Sequence, residues 1–518
     1  MRYALERYPG RKLHMILYED GVQPGNVFLG KRKLHAWYFT FREFDLHVRD
    51  ENAWICFALL QDSIVPKVRG EFSNVSKMLI QTLFDNPLSN FAAGVLVQIP
   101  EPHLISVHLE DLQDAEAIRA KWAVKGYAGL RPCRHCTTVF KKGHKAASVR
   151  GDFSDLTELD WSKVKDHQAT DEDLWDAQDE LLTLHGAKLK QMEIFYGMHR
   201  NPDGLLACKD LRPYVKPSLS SYDPMHCYFS DGTADKEVSL LLARLGDLKY
   251  DFKQLEAYVN SWSPKQCLQL SASGVKGMAS EVLRAVPLLR HFLVKLVKPC
   301  ALLADEIESF QALADVVQHM QKLKLFCNLP ASECEELQRL QSIHFAAFKK
   351  AYGAKECLPK HHFSMHIPSQ LRRLGLFLDT FVTERKHQLA KEVAEHYRQS
   401  KATASLELHM VSRLNLLQLG EMNAGVRAGE LVGPTHPQAD GSFAANKARL
   451  QFGTTVEVGQ VILLGDACFV LDRCVRDAVG LKLIAKRCTY LGNDQHMSAK
   501  RWRVSGSSVA FGVDAPYT

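Results

Sequence analysis

The segment that most restricts the fold is Lys12–Glu19, KLHMILYE. Its apolar residues fall on both sides of an extended chain, so a strand built from it needs cover above and below. It therefore reads as a central strand of a sheet rather than a surface hairpin or a helix face. The run ends at Asp20, and Gly21–Asn26 (GVQPGN) follows as a turn containing Pro24, Gly25 and Asn26. Leu34–Phe44 and Ala53–Leu60 are aromatic and β-branched enough to be the next two strands. Asn74–Phe84 has helical spacing with Asn74 or Ser76 as a cap. Leu104–Leu109 (LISVHL) is a fourth strand with Asp114 just beyond it, and Ala115–Val124 is a short helix stopping at Gly126.

This order is three strands, a helix, a fourth strand and a helix, with one carboxylate after strand one and another after strand four. It suits an α/β, RNase H-like sheet, in which the first and fourth strands lie side by side and carry their acids to one edge; that step is fold analogy. From about residue 137 to 358 the texture turns helical, in Asp171–Tyr196, Asp235–Val259, Lys265–Val297, Cys300–Lys324 and Ala331–Tyr352. The expected organisation is a first core segment (1–136), an all-helical insertion (137–358) and a second core segment (359–428). A Gly/Pro-rich linker (429–444) and a small basic β-domain (445–518), SH3-like and barrel-shaped, complete it. A further helix, Ser405–Leu419, packs back on the core in this reading.

Composition sets bounds on partners and compartment. Hydrophobic residues at 46% and charged residues at 24% are ordinary globular values. No apolar run approaches the ~18 residues a membrane span needs, and the N-terminus lacks a signal core, so an intracellular, soluble protein with no membrane partner is expected. Thirteen scattered cysteines argue against a disulfide framework. A net charge of +6 permits a polyanionic partner without requiring one.

Four places hold residues with chemical potential. In Leu376–Tyr397 (LFLDTFVTERKHQLAKEVAEHY), Val382, Leu389 and Val393 form an apolar stripe. Glu384, His387, Gln388, Lys391 and Glu395 fall on the opposite face, and Arg385 and Lys386 flank the carboxylate. Alone, this pattern equally describes a solvated helix face. With Asp20 and Asp114, Glu384 makes a carboxylate triad able to hold two Mg²⁺ or Mn²⁺ ions for phosphoryl transfer; Glu19, Asp111 and Glu116 are nearby decoys. Cys133 and Cys136 stand at C-x-x-C spacing and supply two ligands of a tetrahedral Zn²⁺ site. His361 and His366 in PKHHFSMH are near the H-x₃₋₅-H spacing that completes a Cys₂His₂ set, with His362, His135 and His144 competing. Asp223 and His226 in SYDPMH read either as an Asx-turn with an incidental histidine or as a functional pair.

Five strings, in order, resemble the DDE/D transposases of eukaryotic cut-and-paste elements, nearest the CACTA and Kyakuja-Dileera-Zisupton group. They are residues 17–44 with Asp20, residues 114–136 with Asp114 and the cysteine pair, YDPMH (222–226), PKHHFSMH (359–366) and FVTERKHQLAK (381–391). The resemblance implies Asp20, Asp114 and Glu384 as catalytic metal ligands and Asp223/His226 as a D-x-x-H signature. His226 would contact the scissile strand or order the insertion against the site. The related recombinase of antigen-receptor gene assembly pairs C-x-x-C with H-x₄-H, which favours His361 and His366 over His362 as zinc ligands. Arg385 and Lys386 become phosphate contacts.

The implied activity is metal-dependent DNA cleavage and strand transfer in the nucleus, with transposon ends and target DNA as partners and a homodimer as the working form. Such transposases usually carry sequence ahead of the first catalytic strand, so a truncated or domesticated copy is expected. A non-catalytic DNA-binding or chromatin protein, or a simple nuclease, are the alternatives.

Overall fold

The computed structural model describes residues 1–22, 33–87, 89–99, 101–113, 121–125, 129–137, 168–261, 268–297, 301–397, 406–425, 429–450, 455–464, 467–494 and 499–512. Asp114, Pro24–Asn26, Gly126, His144 and most of the expected helix Ala115–Val124 lie outside them. The chain divides into two compact units, Met1–Ser412 and Arg413–Thr518. No helix among the described residues is long and apolar enough to cross a membrane.

The first unit opens with a short helix, α1 (Arg2–Arg7), then β1 (Leu13–Val22), β2 (Leu34–Phe41) and β3 (Ile55–Gln61). Helix α2 (Glu71–Phe84), the hairpin β4 (Val95–Ile99) and β5 (Glu101–Ile105), and β6 (Val107–Gln113) follow. Strands β1, β2, β3 and β6, with β7 (Ser220–Tyr222), form a five-stranded sheet of order β3-β2-β1-β6-β7, and β4 and β5 pair with each other apart from it. Strand β2 is antiparallel to β1 and β3. Strands β6 and β7 continue parallel to β1.

Strand β1 is central, as its two apolar faces require: Leu13, Met15, Ile16, Leu17 and Tyr18 are all buried. Alternation along the strand assigns each face a different partner. Met15 and Leu17 share a core with Ile80, Leu83 and Phe84 of α2. On the same face Trp37, opposite Glu19, stacks on Phe72 of α2 with ring centres 5.7 Å apart. The other face carries Tyr18 opposite Tyr38, and then Asp20 opposite Ala36. Asp20 thus lies inside the strand, which runs on to Val22, rather than at its end.

The region between the two core segments is not all-helical. It holds α3 (Asp171–Thr183), α4 (Gly186–Tyr196), α5 (Pro224–Tyr228), α6 (Thr233–Asp247), α7 (Phe252–Ser261), α8 (Ala279–Phe292), α9 (Ala304–Leu323) and α10 (Ala331–Tyr352). It also supplies β7 to the core sheet, and a hairpin, β8 (Gln269–Ser271) and β9 (Gly274–Lys276), replaces the start of the expected helix Lys265–Val297. Gly274 (φ +131°) and Gly277 (φ +147°) adopt conformations no helix contains, which delays α8 to Ala279. Then come α11 (Pro359–Ser364), α12 (Ile367–Leu374), α13 (Phe381–Tyr397) and α14 (Leu406–Gly425).

The second unit is an antiparallel sheet of β10 (Glu430–Pro437), β11 (Phe443–Arg449), β12 (Thr455–Glu457), β13 (Val461–Leu464), β14 (Ala467–Arg476), β15 (Leu481–Asp494) and β16 (Ala499–Gly512). Its core is Ala448, Leu471, Cys474, Leu481 and Leu483. The expected linker 429–444 is strand β10 and the turn into β11. Strand β10 lies at the end of the sheet order, where Pro434 and Pro437 leave no interior ladder bond missing, and Gly433 (φ +83°) sits at a register shift. Among the described residues no ladder joins β10 to β16, so the sheet shows no barrel closure.

Candidate metal centres

Among the described residues, two groups of metal-ligating side chains assemble in the first unit: Cys133, Cys136, His362 and His366, and Asp20, Glu384 and His387. In the first, Cys133 Sγ lies 3.2 Å from His366 Nε2 and Cys136 Sγ lies 3.2 Å from His362 Nε2. The two Nε2 atoms are 3.4 Å apart. A tetrahedron with Zn–S near 2.3 Å and Zn–N near 2.0 Å has edges of roughly 3.3–3.8 Å, so the donor set fits zinc in kind and in size. All four residues are buried.

Burial raises the Cys133 thiol, but hydrogen bonding to Cys136 and the imidazoles of His366 and His362 outweigh it and hold the group well below its ordinary value. Burial pushes His366 down. Thiolate and neutral imidazole are the forms a metal binds. Around them, Tyr222 at the end of β7 donates its hydroxyl to Cys133 Sγ at 3.5 Å and stacks on Phe363 at 4.6 Å. The cluster therefore joins the segment after β6 to the α11–α12 corner, against the sheet.

One expected ligand is corrected: His362, not His361, joins His366. Four residues apart, His362 and His366 face one way along the helical corner, while His361 points about 100° round it. His361 Nδ1 accepts the Leu358 backbone N–H at 2.9 Å, and its ring packs on Phe348 at 4.7 Å. Burial there drives its pKa down to about 3. His135 stands beside the cluster without joining it, accepting from Gln370 Nε2 at 3.1 Å.

The second group forms on the Tyr18–Tyr38 face of the sheet, where α13 packs. The His387 ring lies 5.7 Å from that of Tyr38. Its Nδ1 is 3.5 Å from Glu384 Oε2 and 3.9 Å from Asp20 Oδ2. Tyr18 donates to Asp20 Oδ2 at 2.9 Å, and the Gly21 N–H to Oδ1 at 2.6 Å. Burial raises the Glu384 carboxyl, yet hydrogen bonds to His387 and Asp20, with His226 nearby, bring it down to about 2. Two carboxylates and an imidazole so close are a donor set for a divalent cation, since cationic charge between them removes the mutual repulsion.

The D-x-x-H pair sits at the exit of β7. Asp223 is fully buried and takes four hydrogen bonds: from His226 N (2.9 Å), His226 Nδ1 (2.6 Å), Thr380 N (3.1 Å) and Thr380 Oγ1 (2.7 Å). One carboxylate thereby caps α5, fixes the His226 ring and holds the entry to α13. With Nδ1 bonded to Asp223, the ring turns its Nε2 towards Glu384, 4.0 Å from Oε1. The segments bearing Asp20, Asp223/His226 and Glu384 thus converge; Asp114 lies outside the described residues.

The flanking cations do other work. Lys386 is 2% exposed, and its Nζ donates to the carbonyls of Glu51 (3.0 Å) and Trp54. It pins α13 to the sheet and cannot reach a phosphate, which corrects its expected role. Arg385 is exposed but bonds Glu51 Oε1 at 2.8 Å, so its charge is already engaged within the chain.

Sequence reading set His362 behind His361 and did not assign His387 as a ligand. The signals were present: i, i+4 spacing in HFSMH, and i, i+3 spacing in ERKH on the face bearing Glu384. Compared with protein-family models and with curated proteins, the chain matches none.

Proposed function

We propose that the protein is a DDE/D transposase-like enzyme that cleaves and joins DNA by metal-dependent phosphoryl transfer. The observation that carries this reading is the convergence of Asp20 and Glu384, from opposite ends of the first unit, beside His387 and His226. Strand order supports it: β1 lies between β2 and β6, as an RNase H-like core requires. The parallel ladder pairs Tyr18 with Leu112, two residues short of Asp20, and Asp114 stands two residues beyond Leu112 in the sequence. We assign Asp114 as the third carboxylate.

Asp20, Asp114 and Glu384 would hold Mg²⁺ or Mn²⁺, with His387 as a further ligand that favours Mn²⁺. Ions bound there would lower the pKa of an attacking water or 3′-hydroxyl and stabilise the leaving oxygen. Water attacks a phosphodiester at an element end, and the freed 3′-hydroxyl then attacks target DNA, with no protein nucleophile. His226, oriented by Asp223, turns its Nε2 towards Glu384 at the site's edge. The Cys133–Cys136–His362–His366 set would take zinc as a structural ion that secures the α11–α12 corner on which α13 follows. This reading carries with it a nuclear location, DNA as partner and a dimer that brings two ends together.

The test is nicking of supercoiled DNA with Mg²⁺ or Mn²⁺, followed by joining of a 3′-hydroxyl oligonucleotide to a second duplex. Glu384→Gln and Asp20→Asn should lower nicking by at least ~100-fold without changing bound zinc. Binding without nicking at any divalent cation would leave a DNA-binding or chromatin protein; nicking without joining would leave a nuclease.

A further inference from the structure

The second unit contains a feature that the catalytic reading does not use. Strand β14 pairs with β15 only as far as Arg487, opposite Phe469, while β15 continues with β16 alone to Asp494. Beyond the sheet the chain is therefore a two-stranded ribbon. On it Tyr490 is the direct cross-strand partner of Trp502, with ring centres 5.3 Å apart and planes at 60°. Tyr490 is 47% exposed and Trp502 half-buried, so part of the pair faces solvent. The pair lines a cavity of about 740 Å³ with Arg487, Thr489, Ser505 and Ser507.

Charge singles out the same place. From Leu481 to Gly512 there are six basic residues (Lys482, Lys486, Arg487, Lys500, Arg501, Arg503) and one acid, Asp494. Lys482 and Lys486 are matched by Asp477 and Asp472. Arg487, in the cavity wall, and exposed Arg503, opposite Thr489, form no ion pair among the described residues. Arginine beside a partly exposed aromatic pair and hydroxyls is a combination that takes stacked bases with their phosphates. It is a poor match for a purely apolar or a cationic partner.

The geometry points to a single-stranded nucleic-acid site on the β15–β16 ribbon, with bases on Tyr490 and Trp502 and the phosphate chain on Arg487. Duplex DNA, whose bases are already stacked, uses only the cationic part of it.

The full chain is titrated with fluorescent dT₁₂ and with a 12-base-pair duplex of the same length. Tyr490→Ala and Trp502→Ala should each weaken dT₁₂ by at least ~5-fold and leave the duplex within twofold, while Tyr490→Phe keeps wild-type affinity because it keeps the ring. A second readout locates the contact: light-induced crosslinking of 5-iodouracil-substituted dT₁₂ should label the peptide containing Tyr490 or Trp502. Labelling confined to residues 1–412, or equal loss of single strand and duplex in the alanine variants, overturns the proposal. Nicking by these variants reports separately on Asp20 and Glu384, so each reading can fail without the other.

Discussion

Cys133, Cys136, His362 and His366 are 1–4% exposed, whereas the side chains of Asp20 and Glu384 expose 22% and 40%. The first set offers soft sulfur and nitrogen donors, four in number, in a closed tetrahedron that leaves no position for substrate. The second offers hard carboxylate oxygens and one imidazole, open to solvent on one side. Burial and donor type thus set the two clusters of this unit apart: the closed one could hold an ion that ties the chain together, and the other leaves its carboxylates open to solvent. The contrast also predicts which cluster tolerates substitution. Removing a ligand from the closed set strands buried polar groups, while in the second set the two carboxylates keep contact with solvent and His387, 3% exposed, does not.

The largest expected effect breaks the closed side. The purified chain should carry one zinc by metal analysis, and His362→Ala or Cys133→Ser should abolish it. With apparent zinc-binding free energies on the order of 10 kcal/mol, either change should unfold the α11–α12 corner in hydrogen exchange. His361→Ala should keep the metal. Zinc lost from His361→Ala and kept in His362→Ala would reverse the assignment.

Next is the link between the clusters. Asp223→Ala leaves the donors of His226 and Thr380 without their acceptor, at a loss of about 3 kcal/mol in denaturant unfolding. Unchanged stability would mean that Asp223 does not hold α13.

The open side is sharpened by acid. Because the Glu384 carboxyl is lowered from 4.5 to about 2, its ionised form contributes stability above pH 4.5, and that contribution disappears as pH falls towards 2. The stability difference between wild type and Glu384→Gln should shrink across that window. A difference that stays constant from pH 6 to 2 would show that the carboxylate is not held by its neighbours. Smallest is Arg385→Ala, which removes a half-exposed ion pair with Glu51 and should change stability by under about 1 kcal/mol.

The sequence made legible what depends on local pattern. Apolar residues on both faces of Lys12–Glu19 marked a central strand, and Asp20 beside that run and the C-x-x-C pair stood out by type and spacing. Strand β7 escaped because three residues, Ser220–Tyr222, carry no periodicity to read; only the tertiary ladder with β6 makes them a strand. Strand β10 was hidden by its glycine and prolines, which locally signal a linker but are harmless at an edge. Lys386 falls beside the polar face of α13, yet that side packs on the Glu51–Trp54 carbonyls, a neighbour more than 330 residues away in sequence. The choice of His361 followed the H-x₄-H spacing that the resemblance implied, when the facing rule for a helix already favoured His362.

The packing of α13 on the Tyr18–Tyr38 face has a consequence for biosynthesis. The strands of that face leave the ribosome long before the helix that covers them. At about 5–20 residues per second, the roughly 360 intervening residues leave this aromatic surface bare for on the order of 20–70 s. Through that interval the nascent chain carries a sticky sheet face whose own lid has not yet been made, so its yield in a cell depends on what shelters Tyr18 and Tyr38 until translation passes residue 397.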